Sequence, residues 1–181
     1  MKITEGPLPG LLIIEPQVFH DTRGYFYEAF QQTRYQELGL PVFVQDNVSR
    51  SKQHVLRGLH YQNPHSQGKL VGVTSGAVWD VALDIRASSK TFGQWFGLLL
   101  SDENHRQMYV PKGFAHGFCV LSNEADFYYK CTDFYSPDSE QGIAWDDPTL
   151  NIPWPISQPI LATKDQRYPR LSEIPHDKLF T

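Results

Sequence analysis

The residues from Ala77 to Arg86 alternate clearly in character. Ala77, Trp79, Val81, Leu83 and Ile85 fall on one side of an extended chain, and Asp80, Ala82 and Asp84 on the other. A period of two does not suit an amphipathic helix, so this stretch is a strand with one apolar face, and solvent accounts for Asp80 and Asp84. The same β-rich texture recurs throughout, cut by turn signals. Leu11 to Glu15 is a short strand ended by Pro16, and a turn cluster from His20 to Gly24 leads into Tyr25 to Phe30. Phe43 to Val48, Val55 to Gln62, Lys69 to Thr74, Thr91 to Leu100, Gln107 to Val110, His116 to Leu121 and Asp126 to Tyr135 read as further strands. Only Gln31 to Leu38, stopped by Gly39, reads as a helix before the tail. From Ser136 onward Pro, Asp and Trp dominate, which predicts an irregular tail packed on the body. Many short strands with little helix predict an all-β sandwich or barrel.

With 181 residues, 40% of them hydrophobic and 20% charged, the chain suits one globular domain spanning 1–181. A net charge of -4 argues against a nucleic-acid polymer as partner, while leaving room for a local basic pocket around one phosphorylated ligand. The two cysteines, Cys119 and Cys131, are expected as reduced core thiols. The N-terminal residues lack the apolar run of a signal peptide, and Leu11 to Ile14 is too short to span a membrane. A cytoplasmic location is the expectation.

Chemistry concentrates in Val55 to Lys69, V-L-R-G-L-H-Y-Q-N-P-H-S-Q-G-K, which carries Arg57, His60 and Lys69. Gly58 allows a bulge that would re-aim Arg57. Farther on, P-x-G-x-x-H at Pro111, Gly113 and His116 is similar to the second cupin motif, which favours the jelly-roll version of the fold. Metal-binding cupins supply H-x-H and a later Glu from the first motif. Here that strand offers only His60, followed by Tyr61 and Gln62, so no metal is expected. Without a metal, His60 is a candidate base. Its orienting carboxylate could be Asp80, Asp84, Asp126 or Asp165, and composition does not choose among them. Tyr129 can donate a proton, and period two would put Cys131, Asp133 and Tyr135 on its face. Arg23 and Glu28 bracket a strand start, while Gln45 and Asn47 share a strand face. All four suit surface hydrogen bonding or, alternatively, anion and nucleobase recognition.

These motifs together resemble the dTDP-4-dehydrorhamnose 3,5-epimerase family. F-x-D-x-R-G-Y-F-Y-E (Phe19 to Glu28), F-V-Q-D-N (Phe43 to Asn47), V-L-R-G-L-H-Y-Q (Val55 to Gln62) and Q-G-K-L-V (Gln67 to Val71) carry the likeness. So do T-F-G-Q-W (Thr91 to Trp95), P-x-G-F-A-H-G-F (Pro111 to Phe118), Y-K-C-T-D-F-Y-S-P (Tyr129 to Pro137) and T-K-D (Thr163 to Asp165). The resemblance implies a cofactor-free, metal-free, homodimeric cupin-like jelly roll. It would invert C3 and C5 of a dTDP-4-keto-6-deoxy sugar on the way to dTDP-L-rhamnose; the alternative is an epimerase acting at one centre of a related sugar. It further implies His60 as the base, Asp165 as its carboxylate, Tyr129 as the acid on the opposite face and Lys69 as the cation beside the C4 oxygen. Arg23, Glu28, Gln45, Asp46, Asn47, Arg57, His116, Tyr135, Glu140 and Lys164, with Lys69, match positions that hold the nucleotide and sugar. Phe134 stands where the family often has a second tyrosine, which leaves Tyr135 as the one phenol there.

Overall fold

The computed structural model describes residues 1–180. In chain order its strands are β1 (Lys2–Glu5), β2 (Leu12–Glu15), β3 (Val18–Asp21), β4 (Gly24–Tyr27), β5 (Gln45–Lys52), β6 (Leu56–Gln62) and β7 (Lys69–Ser75). They continue with β8 (Ala77–Asp84), β9 (Trp95–Ser101), β10 (Gln107–Val110), β11 (Phe114–Val120), β12 (Glu124–Cys131) and β13 (Glu140–Gly142). A single α-helix among the described residues, α1 (Gln32–Glu37), sits between β4 and β5. The Gln31 side chain accepts from the Arg34 N–H and so caps the start of α1.

The strands form two antiparallel sheets, ordered β1-β2-β10-β7-β12-β5 and β13-β6-β11-β8-β9, while β3 and β4 make a separate hairpin. This is the all-β, cupin-like jelly roll that the alternation and the glycine–histidine motif predict. One core lies between the sheets, where Val71, Val73, Met108 and Phe127 of the larger sheet meet Val78, Ala82, Phe118 and Val120 of the smaller. A second core lies on the outer face of the smaller sheet. There Leu59, Val81 and Leu83 meet Leu150, Ile152, Leu171 and Ile174 from the tail. Each such buried aliphatic side chain is worth about 2 kcal/mol, so the irregular tail is a structural layer.

That second layer corrects the reading of β8. Its apolar face is largely covered by the tail, and its other face points between the sheets, so neither aspartate faces solvent. Asp80 and Asp84 are both 0% exposed. Asp84 receives a two-pronged bond from Arg86, at 2.9 and 2.7 Å, and hydroxyl bonds from Ser89 and Thr91. The strand expected from Thr91 therefore begins only at Trp95, because Thr91 to Gln94 form the turn that serves Asp84.

Other boundaries move as well. β4 stops at Tyr27, short of Phe30. β5 starts at Gln45 rather than Phe43 and runs on to Lys52, since its polar residues alternate between the cleft and the outside. β12 ends at Cys131, so Tyr135 leaves the strand, and its nearness to Tyr129 does not come from strand period. β13 was not expected, because Glu-Gln-Gly carries no periodic signal; it is recruited by the edge of β6. The bulge expected at Gly58 is present. The pairing of β6 with β11 steps from His60 opposite His116 to Arg57 opposite Phe118, and Gly58 has φ +126°. A Cβ at Gly58 would come within 2.6 Å of the Gly117 Cα, so the two backbones meet where only glycine fits. Cys119 and Cys131 are buried and unpaired.

Candidate active site

At one end of the barrel the two sheets part into a cleft of about 400 Å³. The smaller sheet contributes Arg57, His60 and Gln62 from β6, and His116 from β11. The larger sheet contributes Gln45 and Asn47 from β5, Lys69 from β7 and Tyr129 from β12. Tyr135, Glu140, Lys164 and Asp165 arrive from the segments beyond β12. His60 and Tyr129 therefore stand on opposite walls, carried by different sheets.

Asp165 was one of four candidate partners for His60, and the structure selects it. The His60 Nε2 lies 2.7 Å from Asp165 Oδ1, and the other carboxylate oxygen faces the Gly58 N–H at 3.4 Å. Asp165 is 2% exposed. With Nε2–H donated to the carboxylate, the lone pair of the neutral imidazole rests on Nδ1. Asp80 serves His116 instead, with Nε2 at 3.0 and 2.9 Å from its two oxygens. Asp126 is remote from both, holding Arg50 in a two-pronged surface pair.

The Lys69 side chain makes no hydrogen bond or ion pair among the described residues. Burial lowers its pKa, against the opposing pull of Cys131, Glu140 and Asp80. Burial likewise raises Tyr129, so its phenol stays protonated beyond the ordinary range. For Asp80 burial raises the pKa, and the charges of His116 and Lys69 act against it. The cleft thus holds a desolvated lysine whose pKa is lowered, a firmly protonated phenol and an imidazole already oriented by a carboxylate.

The other expected residues divide. Arg57 is steadied by a 3.1 Å bond from its Nε to Ser51 Oγ. Gln45 donates to Asn47 and accepts from the Tyr135 N–H, which ties β5 to the segment after β12. Glu140 joins Tyr135 and Lys164 at the cleft mouth. Burial would raise Glu140, but the bond and charge of Lys164 hold it low. Three residues lie elsewhere. Asp46 points outward from β5 onto Lys130, because its neighbours Gln45 and Asn47 take the inward positions. Arg23 sits at the tip of the β3–β4 hairpin, bound to Asp21, and Glu28 pairs with Arg34 of α1. Neither lines this chain's cleft.

Several cleft residues were not anticipated. Ser49 continues the inward row of Gln45 and Asn47, and the period of two could have found it; Ser51, next in that row, lies behind the cleft and holds Arg57. Gln62, a poor metal ligand, has another task. Its side chain instead anchors the loop after β12 through the Phe134 carbonyl and the Ser136 N–H. Phe118 and Phe127 form the apolar floor, stacked with centroids 4.0 Å apart. Among the described residues no three His, Cys, Asp or Glu side chains converge on one point as metal ligands would.

Comparison with known proteins agrees with this architecture. The family profile described as dTDP-4-dehydrorhamnose 3,5-epimerase matches residues 5–173. A dTDP-4-dehydrorhamnose 3,5-epimerase of Shigella flexneri is 55% identical over 168 residues, covering 91% of this chain and 93% of that one. The crystal structure of a Legionella pneumophila 3,5-epimerase in complex with dTDP-4-keto-L-rhamnose superimposes with a TM-score of 0.96. It is 54% identical, over 99% of this chain and 97% of that one. A 3'-monoepimerase from Streptomyces bikiniensis in complex with dTDP-quinovose is more distant, at 31% identity and a TM-score of 0.86, over 92% of this chain and 86% of that one.

Proposed function

The chain belongs to the dTDP-4-dehydrorhamnose 3,5-epimerase family, and we propose that it inverts C3 and C5 of dTDP-4-dehydro-6-deoxy-D-glucose in the cleft between its sheets. The observation that carries this reading is the His60–Asp165 pair, 2.7 Å apart, opposed across the cleft by Tyr129 and accompanied by an unpaired Lys69.

The chemistry asks for those groups. A C–H next to a ketone becomes acidic only as its enolate is stabilised. Lys69, desolvated and free of other partners, places its charge at the C4 oxygen, and one such contact is worth about 3 kcal/mol of barrier. His60 takes the proton on Nδ1, and Asp165 stabilises the imidazolium that forms. Tyr129 returns a proton from the opposite wall, so configuration inverts. The ketone at C4 flanks both C3 and C5, and once solvent has taken the proton from His60 and returned one to Tyr129, the same groups serve the second centre. The phosphates fall to Arg57, whose fork binds an anion in two places. The base stacks at Tyr135, with Gln45 and Asn47 offering amide groups. No step consumes a redox equivalent, so no cofactor enters the balance.

We further infer a homodimer. Arg23 and Glu28 match nucleotide-holding positions, yet lie away from this chain's cleft. They sit in and just beyond a hairpin whose Phe19, Tyr25 and Phe26 are 55%, 50% and 69% exposed. A second copy would cover those rings and offer its own cleft to Arg23. Light scattering tests the assembly. Two unpaired cysteines suit the reducing cytoplasm, the compartment we assign.

The test of the reaction is solvent exchange. With the 4-keto substrate in deuterated water, label should enter at both C3 and C5. Label at C3 alone would assign a monoepimerase, and label at neither position would leave only a nucleotide-binding protein.

A further inference from the structure

Tyr168 lies outside the groups given a role above. It does not line the cleft, yet its ring makes a T-shaped contact with the His60 imidazole, with centroids 5.7 Å apart and planes at 74°. The room for it exists because residue 142 is glycine: a Cβ there would run into the Tyr168 ring. Gly142 is also the register partner of His60 in the pairing of β13 with β6. The ring therefore drops into a notch directly beside the imidazole. Its neighbours are tied down on both sides. The Ala144 N–H donates to the Pro169 carbonyl at 2.8 Å, and the Arg167 N–H to the Lys164 carbonyl at 3.1 Å. One short segment thus delivers both the carboxylate and the aromatic neighbour of His60.

An imidazole held at one nitrogen can still swing about its broad outer torsion. An aromatic wall in T-shaped contact removes that freedom. We propose that Tyr168 is a positioning residue for the epimerisation: seated in the Gly142 notch, it holds the His60 plane so that Nε2 stays on Asp165 and Nδ1 faces the substrate. This rests on His60 being the base. The Tyr168 hydroxyl makes no hydrogen bond among the described residues, so the ring is the working part.

The experiment measures kcat, KM and dTDP affinity for wild type, Y168A, Y168F and G142A. Small misplacements of a reacting group are costly, so Y168A should lower kcat roughly tenfold or more, with KM and dTDP affinity within about twofold of wild type. Y168F should restore the rate, because it restores the ring. G142A should displace the ring and lose rate as Y168A does, and the double variant should be no worse than either single one. An unchanged kcat in Y168A, an effect confined to KM, or a Y168F as slow as Y168A would each overturn the proposal. A wild-type enzyme that turns over no substrate would instead sink the epimerase reading itself.

Discussion

Two histidine–carboxylate pairs stand side by side in the smaller sheet, and they are built for different work. His60 and His116 are register partners on β6 and β11, and each commits Nε2 to an aspartate. The His60 side chain is 24% exposed toward the cleft, whereas that of His116 is 8% exposed. Asp165 comes from a turn in the tail and divides its oxygens between His60 and a backbone N–H. Asp80 comes from mid-strand and gives both oxygens to His116. Both rings commit only Nε2, so exposure separates them: the first pair opens to the cleft, and the second is buried, with the Asp80 charge opposing the lowering of Lys69. The same two residue types therefore make a proton-transfer pair at the cleft surface and an electrostatic support beneath it.

The largest expected effect tests the first pair. His60→Ala should cost about a thousandfold in kcat, the span of a general base, while dTDP binding by calorimetry is retained. A variant that kept its rate would remove the distinction between the pairs. Next is the cation the second pair supports. Lys69→Ala should lower kcat by roughly a hundredfold, the loss of one oxyanion-type contact. Steady-state rates check it, and an undiminished rate would leave the buried pair without a client.

Part of this was legible in the sequence because the residues carry their geometry locally. Alternation in Ala77 to Asp84 gave the strand, Gly58 gave the bulge, and Arg57, His60 and Lys69 came from one stretch. The partner of His60 was not legible from the residues, since it lies 105 positions away and three other aspartates competed. Family resemblance, not spacing, pointed to Asp165. Asp80 and Asp84 were misread as solvated for a physical reason. A strand's period says which residues share a face but not what covers it, and here the tail covers the apolar face. Asp46 fails in the opposite way: a contiguous motif, Gln45 to Asn47, ignores that a strand turns every second residue outward.

A third aspartate sharpens the contrast from outside the cleft. Asp84 lies four residues from Asp80 on the same face of β8 and is equally buried. Burial would raise its pKa, but the Arg86 fork and the Thr91 and Ser89 hydroxyls overcome this and hold it at about 2, against an ordinary 3.8. A depressed carboxylate stabilises the fold above its unfolded pKa and loses that contribution as pH falls through the folded one. The difference is worth about 2 kcal/mol at neutral pH and disappears near pH 2. Asp84→Asn should therefore lower stability by about 2 kcal/mol in urea titrations at pH 7, with little penalty near pH 2, and leave the pH profile of turnover where it was. A penalty independent of pH would mean that packing, not charge, accounts for the loss.

The smallest effect is the most specific. Turnover needs Lys69 as a cation, so the rate falls as pH rises through its pKa. Burial has already lowered that pKa below the ordinary 10.5, with Asp80 among the charges resisting the shift. Tyr129 is moved the other way, above the ordinary 10, so the alkaline limb of kcat belongs to the lysine. Asp80→Asn removes one supporting charge. Lys69 should then release its proton at lower pH, and the alkaline limb should move to lower pH, while the rate at the plateau changes far less than in His60→Ala. The sign follows from burial: a lysine deprived of a nearby anion in a desolvated site is poorer at holding a proton. Rate profiles from pH 6 to 10 for wild type, Asp80→Asn and Asp84→Asn decide it, since both variants lose a buried carboxylate from one strand face. A limb that moved equally in both would trace the effect to β8 as a whole, and the assignment of Asp80 to Lys69 would fail.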